Sequence, residues 1–422
     1  MKQLLSIAVL SGLLTALRMV SGFVIAKVVA IYAGPSGIAM LGQVQSLVAA
    51  LNGFSSNQIS QGIVRFTAEN TGKGLLACSP WWKAATTLVF SALVVSALIV
   101  IGFSIPIAKW LFGIDGYTWV VILAVLVLPL NAANVFIGAV LNGRQEYKQY
   151  FLIGATATIV GLIAVTLSTI IFGIKGAIAS AAVNNAIAGA CAYFLVKNSE
   201  WAERSLWLGM ATWKKINAIR GYFYMGIVGA LTGPVSLILI RNMIIENSSI
   251  TDAGNWQAVW RISEAYLSVL TLAISTYYFP MLVKSVERKE ILKHARQTAF
   301  FVVISAIFLA ILIFLLKEYI VNILYSDKFH GANKLFGLQL VGDVFRITSF
   351  VTASIFMAKG YVGTNMILEI AFSMSLVVLS YFLISKLGVQ GANAAYAVNY
   401  IGYLVVTTFL FFKIINKPIQ NL

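Results

Sequence analysis

The chain has 422 residues, of which 60% are hydrophobic and only 10% are charged. A soluble domain of this length cannot bury so much apolar surface, so the composition excludes a soluble fold. Basic loops beside membrane spans explain the net charge of +16, and no nucleic-acid partner is predicted. Long runs that are apolar on every side indicate an all-α polytopic membrane protein, because β-barrel strands alternate apolar and polar residues.

Twelve apolar runs are each long enough to cross a bilayer as a helix, which takes about 20 residues. The predicted transmembrane helices cover residues 4–31, 38–64, 84–107, 117–142, 150–172, 176–196, 217–245, 255–282, 297–324, 335–358, 363–385 and 391–415. The first run continues past Arg18 to Ile31, which is too long for a signal peptide, so we interpret it as a retained first span.

The distribution of Lys and Arg between the loops predicts the orientation. Twelve spans put both termini on one side, and that side carries nineteen Lys and Arg residues against five on the other. Because basic loops stay in the cytoplasm, both termini are predicted to be cytoplasmic. The two cysteines, Cys78 and Cys191, are far apart, and His294 and His330 lie in loops, so neither a disulfide framework nor a metal site is predicted.

An internal repeat relates the two halves of the chain. The segment "GIKGAIASAAVNN" from Gly173 matches "GVQGANAAYAVNY" from Gly388, and "LGQVQSL" from Leu41 aligns with "NWQAVWR" from Asn255. Both offsets are about 215 residues, which is typical of transporters built from parallel repeats. Small residues are common in packed spans, so coincidence is the alternative. The repeat predicts two six-helix lobes.

The predicted lobes are residues 1–197 and 217–422, joined by a linker at residues 198–216. Tryptophans alternate with charges in the linker, which is typical of a helix lying in the membrane interface. In the seventh span, "GALTG" followed by Pro234 predicts an interruption. It is either a bend that lets the halves move or a close helix contact through small residues.

Charged residues inside the predicted spans are the candidates for a functional site, and cations outnumber anions. The clearly intramembrane cations are Arg18, Lys27, Arg241, Arg261 and Arg346, and the anions are Glu264, Asp343 and Glu369. We interpret Lys317 and Glu318 as snorkelling or structural. A charge at mid-bilayer costs roughly 2.5–3.5 kcal/mol, so such residues usually pair or face a hydrated cavity. The excess of cations predicts that this interior attracts an anion.

Two acids lie three residues from a cation, which puts both members of each pair on one helical face. The pairs are Arg261 with Glu264 and Asp343 with Arg346. Each is either an internal ion pair that lowers the cost of insertion or part of a site.

At 1.5 Å per residue, Arg261 is predicted to lie about 7–8 Å below the outer end of the eighth span. Arg241 and Lys27 reach a similar depth. We hypothesise that Glu264 pairs with one of these three cations while an outer gate is closed.

Three segments resemble the Wzx flippases of the polysaccharide transport family, within the multidrug/oligosaccharidyl-lipid/polysaccharide (MOP) superfamily. They are "GPSGIAMLGQVQ", "NWQAVWRISEAYL" and "LFGLQLVGDVFRI". The resemblance extends over most of the chain and implies a V-shaped, two-lobed transporter with alternating access. It implies that spans 1, 2, 7 and 8 border a central cavity. Four cations lie on those spans, namely Arg18, Lys27, Arg241 and Arg261.

The resemblance also implies a substrate. It is an undecaprenyl-pyrophosphate-linked oligosaccharide, the O-antigen repeat unit, moved across the bacterial inner membrane from the cytoplasmic to the periplasmic leaflet. The five cations are expected to bind it, and the three acids are expected to gate transport or couple it to H⁺ or Na⁺. Membrane lipid, an O-antigen polymerase and a chain-length regulator are expected partners, and no cofactor is expected.

Three other functions stay open on the sequence. An ion-coupled drug exporter shares the fold, but a cavity for cationic drugs should be acidic. A membrane polysaccharide polymerase or glycosyltransferase should have a large periplasmic loop, whereas the predicted outer loops are short. A receptor or scaffold without transport is disfavoured by the repeat and the buried charges.

Overall fold

The computed structural model describes residues 2–57, 59–113, 115–285 and 287–416. These residues are almost entirely helical, as expected where lipid offers no partner to backbone amides. The helices are α1 (Lys2–Asn52), α2 (Ile59–Asn70), α3 (Leu75–Gly102), α4 (Ser104–Phe112), α5 (Thr118–Leu126), α6 (Leu128–Gly143), α7 (Tyr147–Val196), α8 (Arg204–Trp207), α9 (Trp213–Asn247), α10 (Ile250–Ala273), α11 (Phe279–Lys284), α12 (Arg288–Leu324), α13 (Phe336–Ala358), α14 (Val362–Leu387) and α15 (Val389–Ile415). Short π-helices follow α1 at Gly53–Asn57 and α10 at Ile274–Tyr278.

Ten helical segments in the described part of the chain are long and apolar enough to cross a membrane. Two of them, Leu10–Ser56 and Tyr147–Val196, contain 47 and 50 residues, which is enough for two crossings each. Each is kinked at a glycine with positive φ, namely Gly34 (φ 64°) and Gly173 (φ 57°). Division at these glycines turns ten segments into twelve, the number of predicted spans.

The repeat seen in the sequence has a structural counterpart. Gly173 has φ 57° and ψ −136°, and Gly388 in the second copy has φ 59° and ψ −143°. A second glycine follows three residues later in each copy. A Cβ atom on it would lie 1.8 Å (first copy) or 2.2 Å (second copy) from a carbonyl oxygen of the preceding helix. The same tight helical hairpin therefore occurs in both halves.

The described residues pack into two compact units. Unit 1 is the chain up to Ala33 together with Met40–Ile238, and unit 2 is Gly34–Ala39 together with the chain from Leu239 onward. The division falls within α9, four residues after Pro234. The predicted interruption at Pro234 is wrong, because α9 continues through it as one helix. The lobe boundary drawn from the predicted spans stays a prediction.

The predicted interfacial helix at residues 198–216 is not one helix. A short 3₁₀ turn and the four-residue α8 precede α9, which begins at Trp213. Trp207 stacks on Trp82 in the core of unit 1, with ring centroids 4.8 Å apart. The Ser79 hydroxyl donates to a backbone oxygen of α8 at 2.9 Å. Two of the three linker tryptophans, Trp201 and Trp207, thus pack on unit 1, whereas Trp213 is exposed at the start of α9.

In unit 2, α10 begins earlier than predicted. Ser249 caps it and accepts a hydrogen bond from the Asp252 amide at 3.0 Å, so polar residues outside the apolar run join the helix. Arg261 is therefore eleven residues, or about 16 Å, from the start of its helix rather than 7–8 Å.

Lys359 directly follows the last residue of α13. Its ammonium donates to the Ser285 carbonyl at 2.5 Å, and burial lowers the pKa of Lys359.

Candidate functional site

Three helices of unit 2 bring polar side chains together. Helix α10 contributes Glu264 and Tyr266, α13 contributes Asp343 and Arg346, and α15 contributes Tyr396. We call these five residues the polar cluster. All three helices are otherwise apolar enough to span a membrane, so these polar groups must satisfy each other or a ligand.

Arg346 pairs with an acid on another helix. Its Nη1 donates to Oε1 of Glu264 at 2.5 Å, and its guanidinium lies 5.7 Å from the Trp260 ring and 5.6 Å from the Tyr400 ring. The predicted same-helix ion pairs are therefore wrong, whereas a role of these residues in a site stays a prediction. Because α10 and α13 pack with these faces toward each other, Glu264 meets Arg346 across the interface instead of Arg261 along its own helix.

Asp343 is fully buried and is held by neutral donors. The hydroxyls of Tyr266 and Tyr396 each donate to one of its oxygens at 2.8 Å, and the Gln339 amide donates at 3.2 Å. Arg346 Nη1 also donates to the Tyr396 hydroxyl at 3.4 Å. Tyr396 thus connects the Asp343 carboxyl group to the Arg346–Glu264 pair in one network.

Arg241 forms a second cationic centre in unit 2. It is fully buried, and its Nε and Nη2 both donate to the side-chain oxygen of Gln257, at 3.1 and 2.8 Å. The amide oxygen of Gln257 thus orients the guanidinium. Arg261 follows Gln257 by one helical turn and interacts electrostatically with Tyr325. The predicted gathering of Arg241 and Arg261 stays a prediction, whereas Glu264 pairs with Arg346 rather than with either of them.

The Arg241–Gln257 arrangement has an equivalent in the sequence of unit 1. Lys27 and Gln43 are sixteen residues apart, as are Arg241 and Gln257, and the two pairs are related by the offset of the internal repeat. Lys27 is half-buried, and Gln43 is buried. The Gln shared by the two aligned motifs was the signal for an amide that orients an intramembrane cation. The sequence analysis did not identify it.

Arg18 lies on the exposed face of α1 in unit 1. A Cβ atom on Gly154 of α7 would lie 2.8 Å from a methyl carbon of Leu14 and 3.3 Å from Nη2 of Arg18, so the glycine leaves room for both side chains. Among residues whose side chains the structure describes, no acid forms an ion pair with Arg18. The last predicted site residue, Glu369, is exposed on α14 and interacts electrostatically with Tyr400.

Tyr396 of the polar cluster and its neighbour Tyr400 were also missed from the sequence. Tyr396 and Tyr400 stand where the first copy of the repeat has Ala181 and Asn185. The two glycines that maintain the hairpin are the same in both copies of the repeat, whereas the residues at the two tyrosine positions differ. Divergence between the copies was therefore the available signal for a function confined to unit 2.

No protein-family model matches the sequence. The lipid III flippase of Escherichia coli K12 is 26% identical over 395 residues, which cover 92% of this chain and 93% of the relative. The lipid III flippase of Shigella flexneri matches to the same extent.

Solved structures of two transporter classes are similar over nearly the whole chain. An inward-facing multidrug resistance MATE transporter of the MOP superfamily has a TM-score of 0.74 at 14% identity, and 94% of each chain is covered. The lipid II flippase MurJ in an inward closed conformation has a TM-score of 0.71 at 14% identity, covering 97% of this chain and 90% of that one. The predicted fold class is confirmed, because the chain shares the all-α fold of these membrane transporters.

Proposed function

We propose that the chain is a flippase for an undecaprenyl-pyrophosphate-linked oligosaccharide, the O-antigen repeat unit. It moves this lipid from the cytoplasmic to the periplasmic leaflet of the bacterial inner membrane by alternating access, with both termini in the cytoplasm. The full-length similarity to a lipid III flippase carries the proposal. The transporter fold and the excess of intramembrane cations support it. The names of these relatives also support a transporter rather than an enzyme.

The cations are proposed to bind the pyrophosphate in turn. Arg18 and Lys27 act in unit 1, and Arg241 and Arg261 act in unit 2. A guanidinium can donate two parallel hydrogen bonds to a phosphate, which suits three of these four residues. Gln257 supports the role of Arg241, because its amide oxygen accepts two hydrogen bonds from the guanidinium and so fixes its orientation.

The Glu264–Arg346 pair is proposed to act as the gate. An arriving pyrophosphate competes with Glu264 for Arg346, so the substrate itself releases the contact between α10 and α13. This replaces the earlier hypothesis that Glu264 holds Arg241, Arg261 or Lys27. Asp343 and Glu369 are the remaining candidates for coupling transport to H⁺ or Na⁺.

Complementation of two hosts tests the proposal. One strain lacks its O-antigen flippase and the other lacks its lipid III flippase, and the chain is expressed in each. We expect surface O-antigen to return in the first strain. Rescue of the second strain alone would retain the flippase and exclude the O-antigen substrate. Failure in both, with raised resistance to cationic drugs, would favour the exporter instead.

A further inference from the structure

A groove that the proposed flippase cycle does not use lies on unit 2. It runs between the π-helix Ile274–Tyr278 and the first turns of α12, with a volume of about 560 Å³. A second cavity of about 540 Å³ adjoins it along α12, and the two share Gln297 and Phe301. A combined volume of this size suits a ligand with a polar head and a chain.

The cavity along α12 is basic. Lys289, Lys293 and Arg296 line it, are exposed, and stand four and three residues apart on one face of the helix. They precede the long apolar run of α12, which places them at the depth of lipid headgroups. This end of the groove therefore favours a phosphate-bearing headgroup.

The other part of the groove is apolar. Ile274, Met281 and Val302 line it, and the Tyr277 and Phe301 side chains, 69% and 68% exposed, stand beside it. Since the groove opens on a lipid-facing surface, a hydrocarbon chain fits this part.

Tyr278 provides an independent sign of a ligand. It lines the groove and is fully buried, and its hydroxyl has no hydrogen-bond partner among the described residues. Buried hydroxyls are normally satisfied, so the exception calls for an oxygen-bearing partner. Tyr278 also ends a π-helix, an irregularity that often marks functional sites.

We propose that this groove binds an anionic glycerophospholipid of the surrounding bilayer. Lys289, Lys293 and Arg296 hold its phosphate, Tyr278 donates to an ester oxygen, and one acyl chain lies along the apolar wall. A polyprenyl pyrophosphate also has an anionic head and a chain. Its chain has no oxygen to accept from a hydroxyl within the groove, so the phospholipid fits better.

Native mass spectrometry of the full chain in detergent tests this site. The protein is mixed with phosphatidylglycerol or phosphatidylcholine, and the retained lipid is counted. We expect wild-type protein to prefer phosphatidylglycerol. The triple variant Lys289→Gln, Lys293→Gln, Arg296→Gln should lose roughly tenfold or more of this preference, because each basic side chain near headgroups strengthens binding about fivefold.

A matched control removes the same charge elsewhere on unit 2. The exposed residues Lys284, Arg288 and Lys413 do not line the groove, and their triple Gln variant should keep the preference. Tyr278→Phe should weaken phosphatidylglycerol retention without lowering the melting temperature of the lipid-free protein.

Three results would overturn the proposal. They are equal retention of both lipids by the wild type, equal loss of preference in the two triple variants, and unchanged retention in Tyr278→Phe. Displacement of phosphatidylglycerol by inorganic pyrophosphate or by farnesyl pyrophosphate at matching concentration would assign the groove to a pyrophosphate instead. Displacement by inorganic pyrophosphate or by farnesyl pyrophosphate would not contradict the proposed flipping activity, which the complementation experiment tests separately.

Discussion

Arg346 lies between one carboxylate and two aromatic rings, and the carboxylate decides how its charge is balanced. The Arg346 and Glu264 side chains are 29% and 45% exposed, so the pair is only partly removed from solvent in the isolated chain. Loss of one partner leaves a charge among the apolar faces of three helices. Loss of both partners leaves no unpaired charge from this pair. Single and double variants therefore separate a structural pair from a gate.

We expect Glu264→Gln and Arg346→Gln each to lower the amount of protein in the membrane. The cost should be below the roughly 3–5 kcal/mol of a fully buried pair, because both side chains keep some exposure. The double variant should regain normal membrane levels without regaining transport. Immunoblots of membranes and a flipping assay would measure the two effects. Restored transport in the double variant would make the pair purely structural.

Gln257 is expected to act by positioning Arg241. Gln257→Leu keeps the side-chain volume but removes both hydrogen bonds, which costs about 1–3 kcal/mol for a buried donor left unsatisfied. We expect transport to fall in this variant, and the double variant Gln257→Leu, Arg241→Met should restore stability but not transport. Gln45→Leu, a half-buried Gln in the aligned motif, is the control. Equal transport in Gln257→Leu and Gln45→Leu would remove the positioning role.

At the scale of elements, the two helical hairpins depend on glycine because backbone meets backbone. A Cβ atom on Gly391 would lie 2.2 Å from the Leu383 carbonyl oxygen, whereas one on Gly363 of α14 would meet nothing within 4 Å. We expect Gly391→Ala to lower the melting temperature, since overpacking costs about 1–3 kcal/mol. Gly363→Ala should leave it unchanged or slightly raised. Thermal melting in detergent compares them, and equal melting temperatures would contradict the contact.

Helix ends and breaks depend on single residues that a hydropathy window averages out. The window placed the start of the eighth span at residue 255, but the Ser249 cap begins α10 at Ile250. The motif "GALTG" followed by Pro234 was also given too much weight, since α9 tolerates the missing hydrogen bond without leaving helical geometry. The earlier start of α10 puts five more residues, or about 7–8 Å of helix, between Arg261 and the end of its helix.

At the scale of the whole molecule, the proposed substrate is an anion that moves outward across a membrane whose cytoplasmic side is negative. Each negative charge carried fully across gains about 2.3 kcal/mol per 100 mV. We expect flipping in proteoliposomes to speed up when a valinomycin-induced potassium potential makes the cytoplasmic face negative, and to slow when the sign is reversed. Fluorescent lipid-linked oligosaccharide would report the rate. A rate independent of the sign would indicate electroneutral transport with a coupled cation.

The sequence by itself determined the all-α membrane class, the approximate spans, the internal repeat and the charged residues that carry the candidate site. These features are local or periodic, so hydropathy, charge and self-similarity reveal them without any contact. The tertiary structure alone decided that Glu264 pairs with Arg346, that tyrosines hold Asp343 and that Gln257 holds Arg241. Partners on different helices are chosen by which faces pack together, and a spacing of three residues along one helix contains no information about that choice.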